Sequence, residues 1–204
     1  PAITVEYPYG GETFVPGETE VIRWNAYDDN SNTFTLEYSI DNGNNWNQIN
    51  NTVSATSRVF SWTVPGTVTN TALVRVRRNN TAISGQSSIN FLILGLPVLT
   101  PTIVCEGAVQ LNWPAITGAT SYDILQFVND SMQVAGNSNT NTFLLTGLNK
   151  NNTYWLGVAA KNGATAGRRS ISVKVQPAGG TCTLAAFNND VKVDAIAEPT
   201  TARQ

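Results

Sequence analysis

Apolar and polar residues alternate with a period of two along most of this chain, and clusters of Asn, Gly and Pro interrupt the alternation at short intervals. The most regular run is Phe34-Thr-Leu-Glu-Tyr-Ser-Ile: Phe34, Leu36, Tyr38 and Ile40 are predicted to face a core, and Thr35, Glu37 and Ser39 to face solvent. Ile3, Val5 and Tyr7 share one face of an opening strand, and Ile22 and Trp24 one face of the next. Phe60-Ser-Trp-Thr-Val-Pro, Ala72-Leu-Val-Arg-Val-Arg and Ile89-Asn-Phe-Leu-Ile-Leu bring the first stretch to about seven strands. Further on, Val109, Leu111 and Trp113 alternate inward up to Pro114, and Tyr122 and Ile124 repeat the pattern. A strand follows from Trp155 to Ala160, then a loop over 162–169, and Ile171, Val173 and Val175 are expected to close the sheet. No segment sustains a 3.6-residue period with caps, so the expected class is all-β.

At 204 residues the chain is long for one sandwich and right for two of about 100 residues each. The reading is two tandem antiparallel β-sandwiches, over residues 1–95 and 96–178, joined near Gly95-Leu-Pro97 by a short linker whose proline predicts a fixed angle. Residues 179–204 form a tail. Its alternating stretch Asn189-Asp-Val-Lys-Val-Asp-Ala-Ile reads as the first strand of a following module or as a strand that docks back on the second. The chain opens on Pro1 with neither an initiator Met nor an apolar leader, which reads as a piece of something longer.

Charged residues make up only 13%, and Asn, Thr and Ser fill the gap, the texture of a secreted or cell-surface β-protein. A net charge of −2 offers no electrostatic basis for binding nucleic acid. The longest apolar run, Phe91-Leu-Ile-Leu-Gly-Leu-Pro-Val-Leu, is broken by Gly95 and Pro97 and falls short of the roughly 20 residues of a spanning helix, so no membrane span is expected.

The chain has no histidine, which removes a Ser-His-Asp triad, a Cys-His dyad and His-ligated zinc together. Its 14 acidic residues leave carboxylate chemistry open, but they are scattered over strands and turns and no pair is singled out. The two cysteines, Cys105 and Cys182, bracket the second stretch. First and last strands of a sandwich lie on neighbouring edges, so a disulfide stapling the tail is the favoured reading, with two buried thiols as the alternative.

Ser39-Ile-Asp-Asn-Gly-Asn-Asn-Trp fits the Asp-box pattern of sialidase propeller blades. Such propellers carry several copies and this chain has one, so Asp41, Gly43 and Trp46 are read as a structural hairpin. Asp28 and Asp29 offer oxygen ligands to a calcium ion, against the plainer reading of a solvated loop; no other cofactor is expected. Tyr7, Tyr9, Trp46 and Trp155 are the aromatics least secure as core residues, candidates either for ligand contact or for covering a sheet edge. Arg75, Arg77 and Arg78 are expected to form one small basic face, and Arg168 and Arg169 another; Arg168 and Arg169 are also candidates for ligand contact, against the plainer roles of solubility, edge protection or contact between modules.

The run Phe143-Leu-Leu-Thr-Gly-Leu-Asn-Lys-Asn-Asn-Thr-Tyr-Trp states a strand, a corner bracketed by Leu148 and Tyr154, and a return strand. With Trp113 and Ala119-Thr-Ser-Tyr-Asp-Ile-Leu-Gln-Phe, it resembles a fibronectin type III module. That resemblance implies a tyrosine corner, in which the Tyr154 hydroxyl returns to the backbone of the preceding turn. Where some members of that family present an integrin-binding tripeptide, this chain reads Gly163-Ala-Thr-Ala-Gly-Arg-Arg, so that function is not carried over. In the first stretch, Pro-x-Gly-Gly-Glu, Ile-Arg-Trp, the Asp-box run and Trp-Thr-Val-Pro, in that order, resemble immunoglobulin-like modules downstream of catalytic domains in large secreted bacterial proteins, some of them subtilisin-like or metal-dependent proteases.

The expected function is therefore a non-catalytic spacer or adhesion segment, partnered by other domains of its own polypeptide and accessory to a hydrolase. The alternative is a module that binds extracellular polysaccharide or protein and targets a linked enzyme. A small carboxylate-dependent hydrolase is the remaining reading.

Overall fold

The structure, a computed structural model, describes residues 2–27 and 32–180. Among them there is no helix, and the strands form two sandwiches. The first contains β1 (Ile3–Tyr7), β2 (Thr13–Phe14), β3 (Thr19–Ala26), β4 (Phe34–Ser39), β5 (Asn47–Val53), β6 (Val59–Thr63), β7 (Thr69–Arg78), β8 (Ser84–Gln86) and β9 (Phe91–Ile93). One sheet runs β1-β3-β6; the other runs β2-β9-β7-β4-β5, with β8 on β7. Every pairing is antiparallel except β2 with β9. Ile22 and Trp24 of β3 face Phe34 and Leu36 of β4 across the core, with the Trp24 and Phe34 rings edge-on at 5.5 Å.

The solvent face expected for β4 is covered. Thr35, Glu37 and Ser39 are all buried, Glu37 to 8% exposure. Their side chains do point away from the core. However, β4 is hydrogen-bonded on both sides, by β5 and β7, and long side chains of β7 fold across it. Nor do the three arginines of β7 form one face. Arg75 and Arg77 flank Glu37, while Arg78 takes the alternate position and is buried with its guanidinium over the Phe34 ring, 5.0 Å from the centroid.

The second sandwich pairs sheet β10-β11-β14 with sheet β13-β12-β15-β16, in which β17 also pairs with β15. These strands are β10 (Thr100–Cys105), β11 (Ala108–Asn112), β12 (Ser121–Val128), β13 (Ser131–Ser138), β14 (Thr142–Leu145), β15 (Tyr154–Asn162), β16 (Thr165–Arg169) and β17 (Val173–Val175). As the alternation predicts, Val109, Leu111, Trp113, Tyr122 and Ile124 are buried, and Trp113 meets Tyr122 edge-on at 5.2 Å.

The predicted 162–169 loop is instead a tight hairpin, because Gly163 turns the chain at φ 59° and 165–169 re-pair with β15 as β16. Ile171 does not close the sheet; it is 86% exposed. Ser170 bonds Val158 through both backbone and hydroxyl, whereas Val173 pairs with Leu156, so Ile171 and Ser172 together stand opposite Gly157. That one-residue bulge reverses the phase of the alternation and turns Ile171 outward.

The junction between the sandwiches is packed. Phe91 and Ile93 point into the first core, while Leu92 and Leu94 belong to the second, alongside Leu111 and Leu156. A Cβ on Gly118, at φ +76°, would lie 2.5 Å from Val68 Cγ1, and one on Gly95 would lie 2.9 Å from Ile116 Cγ2. Arg168 on β16 pairs with Glu18 of the first sandwich.

Candidate functional site

The Asp-box residues build the turn between β4 and β5. Ser39 Oγ donates to Asp41 Oδ1 at 2.7 Å and accepts from the Gly43 N–H at 2.8 Å. Asp41 also accepts from the Asn45 backbone N–H at 2.9 Å and from Asn45 Nδ2 at 2.6 Å. The Ser39 hydroxyl, then the Asn45 donors, hold the Asp41 carboxyl down at about 2. Asn42 and Gly43 take positive φ, and Trp46 lies over the turn, with its Cζ2 3.4 Å from where a Gly43 Cβ would be. Every acceptor on Asp41 is committed to its own loop.

Trp46 also stacks on Arg75, whose Cζ is 4.1 Å from a ring centroid. Arg75 and Arg77 both reach Glu37 Oε2, by Nε at 2.9 and 2.8 Å. Burial pushes the Glu37 carboxyl up, and the hydrogen bonds and charges of Arg77 and Arg75 outweigh it, leaving a net lowering. The Trp46–Arg75–Glu37–Arg77 row is thus an interlocked lattice on the outside of the sheet, in which two guanidinium groups share one carboxylate.

At the corner, Tyr154 Oη accepts from the Asn149 N–H at 2.8 Å, and Leu148 packs at the margin of the second core. Cys105 is buried at the end of β10, whereas Cys182 lies outside the described residues, as do Asp28 and Asp29. Among the described residues no group of three or more acidic or thiol side chains is placed to hold a metal ion. No helix among them is long and apolar enough to cross a membrane.

The other aromatic and basic candidates disperse. Tyr7 packs on Phe14 with centroids 5.9 Å apart, and burial followed by the charges of Glu20 and Glu12 raises its phenol. Tyr9 is exposed on the neighbouring turn, where its N–H donates to Glu12. Arg168 is taken up by Glu18 at the junction, while Arg169 turns to the outer face and donates to Ser172 Oγ at 2.9 Å.

Around Trp155 a candidate aromatic and a candidate arginine meet at an open surface. Gln126 pairs with Leu156, so the next pair in that register sets Phe127 beside Trp155 on the outer face of the sheet. Both stay open to solvent, at 48% and 46% exposure. Met132, cross-strand from Phe127, completes the apolar wall of an open recess of ≈480 Å³, and Asp130, Ser131, Arg169 and Ser172 form its rim. Gly157 lies beneath it: a Cβ there would come within 3.2 Å of Met132 Cε and 3.8 Å of Ser172 Oγ. Sequence reasoning found Trp155 and Arg169 and missed Phe127, Asp130, Met132, Gly157 and Ser172. The signal for Phe127 was its parity, odd against the inward Tyr122 and Ile124.

No protein-family model matches the sequence, and no curated protein does. Solved structures do match. The first three fibronectin type III domains of chicken contactin align over 81% of this chain and 68% of theirs, at 15% identity and a TM-score of 0.36. A run of titin domains aligns over 86% and 66%, at 16% identity and 0.36. The sixth fibronectin type III domain of a human fibronectin type III domain-containing protein aligns over 46% and 93%, at 20% identity and 0.37. At these identities and scores the likeness says nothing of ligand or activity.

Proposed function

We propose that this chain is a non-catalytic spacer and adhesion segment of a secreted or cell-surface multidomain bacterial protein, accessory to a hydrolase elsewhere in the same polypeptide. The observation that carries the reading is the junction, where Leu92 and Leu94 leave a first-sandwich strand to enter the second core. A hinge made this way bends only by exposing core leucines, which suits a spacer that holds its neighbours at a set separation. A bacterial exoprotein as parent, a protease among the options, is supported by the order of motifs in the first sandwich. Residual dipolar couplings test the spacer: one alignment tensor should fit both sandwiches, and two independent tensors would overturn it.

We also propose that Cys105 and Cys182 are joined. Gly179 passes so close to β10 that a Cβ there would lie 3.7 Å from Cys105 Cα, only three residues before Cys182. Non-reducing peptide mapping should recover the two cysteines in one linked species; quantitative alkylation of both in denaturant without reductant would exclude the bond.

The second reading, a binding module that targets a linked enzyme to polysaccharide or protein, is favoured by one observation: the exposed Phe127–Trp155 recess.

A further inference from the structure

The recess on the outer face of the second sandwich is built against local preference. The β12–β13 turn is a two-residue hairpin at Asn129-Asp130, with φ of 49° and 62°. Glycine is the usual occupant of the second such position, because a Cβ is strained there. Asp130 holds that position on the recess rim, and its carboxylate makes no hydrogen bond or ion pair among the described residues. On the other side, the bulge at Ile171-Ser172 displaces the edge strand and brings Ser172 and Arg169 to the rim. Bulges and strained turns gather where a surface is shaped for something other than pairing.

From these features we propose that the recess binds a neutral polysaccharide, one pyranose ring lying on Phe127 and Trp155. This rests on the second reading above and names its ligand. A pyranose has a face of C–H groups and an edge of hydroxyls. The recess offers the complement: two exposed aromatic side chains on neighbouring strands, and a rim carrying an acceptor (Asp130), a donor (Arg169) and the hydroxyls of Ser131 and Ser172. The two rim charges cancel, so the site favours neither a polyanion nor a polycation. The recess is open to solvent, which suits a ring laid against it better than a peptide side chain that needs enclosure. Gly157 keeps the floor level, since any side chain there would stand between Met132 and Ser172.

The test is an ¹H–¹⁵N NMR titration of residues 1–204 with cellohexaose, xylohexaose, laminarihexaose and chitohexaose, alongside a collagen-like triple-helical peptide. At least one oligosaccharide should shift the Trp155 indole and the amides of Phe127, Gly157 and Ser172, while the indoles of Trp24 and Trp62 stay still. W155A should weaken that binding about tenfold or more. The decisive variant is D130G, which relieves the turn and should raise the thermal midpoint while still weakening the sugar. Greater stability with unchanged affinity would overturn the role of Asp130, and with it the rim as drawn. Shifts caused by the peptide alone would overturn the saccharide and keep the binding reading. Silence from every probe would overturn both, and the spacer reading would still stand or fall on its own dipolar couplings.

Discussion

Leu94 packs against Gly167: a Cβ on Gly167 would lie 3.3 Å from Leu94 Cδ2. One residue comes from the end of the first sandwich and the other from β16 of the second, so contact between them makes the junction part of a core.

Leu94→Ala should therefore remove a fully buried side chain that the end of the first sandwich contributes to the second core. The expected loss is about 2–5 kcal/mol in the second sandwich. Calorimetry should show a single transition in the parent protein splitting into two in the variant. A second-sandwich midpoint unchanged by the substitution would show that Leu94 is not part of that core.

The Glu37 carboxyl is lowered in the folded state, so its ionisation contributes stability that is fully present above the ordinary glutamate value of 4.5 and is lost as pH falls through the folded value. Glu37→Gln should destabilise the first sandwich by about 1–2 kcal/mol at neutral pH and reduce the fall in stability below pH ~4.5. Urea denaturation across that range checks the slope. Parallel curves for parent and variant would count against the arginine pair as the cause.

Ser39→Ala should release Asp41 from about 2 toward its ordinary 3.8, because the serine hydroxyl is the largest of the influences holding it down. Carboxyl ¹³C shifts followed through an acid titration read this directly. A value still near 2 would assign the lowering to Asn45 instead.

Tyr154→Phe deletes the oxygen that accepts the Asn149 N–H and leaves the ring in place. Asn149 is exposed, so water can take over its N–H, and the cost should be about 0.5–1.5 kcal/mol. Equilibrium unfolding of the variant measures it; no loss of stability would reduce the corner to a packing feature.

The corner at Leu148 and Tyr154 could be read from consecutive residues because its hydrogen bond spans only five positions. The Asp41 turn was legible for the same reason, with every partner between Ser39 and Trp46. The Phe127–Trp155 recess was not. Phe127, Trp155 and Arg169 lie on three strands, and the two rings stay open to solvent because no other described strand or loop covers them.

Period-two alternation, turn residues and the lack of histidine were enough to determine an all-β chain with two cores and no histidine-based chemistry, because each is a property of local spacing or of composition. Only the tertiary structure decided that Glu37 is covered, that a bulge turns Ile171 outward, and that Leu92 and Leu94 serve the neighbouring core. Alternation says which side of a strand a residue takes. What lies on that side depends on partners brought from distant parts of the chain, and a single residue slipped in pairing exchanges the two faces.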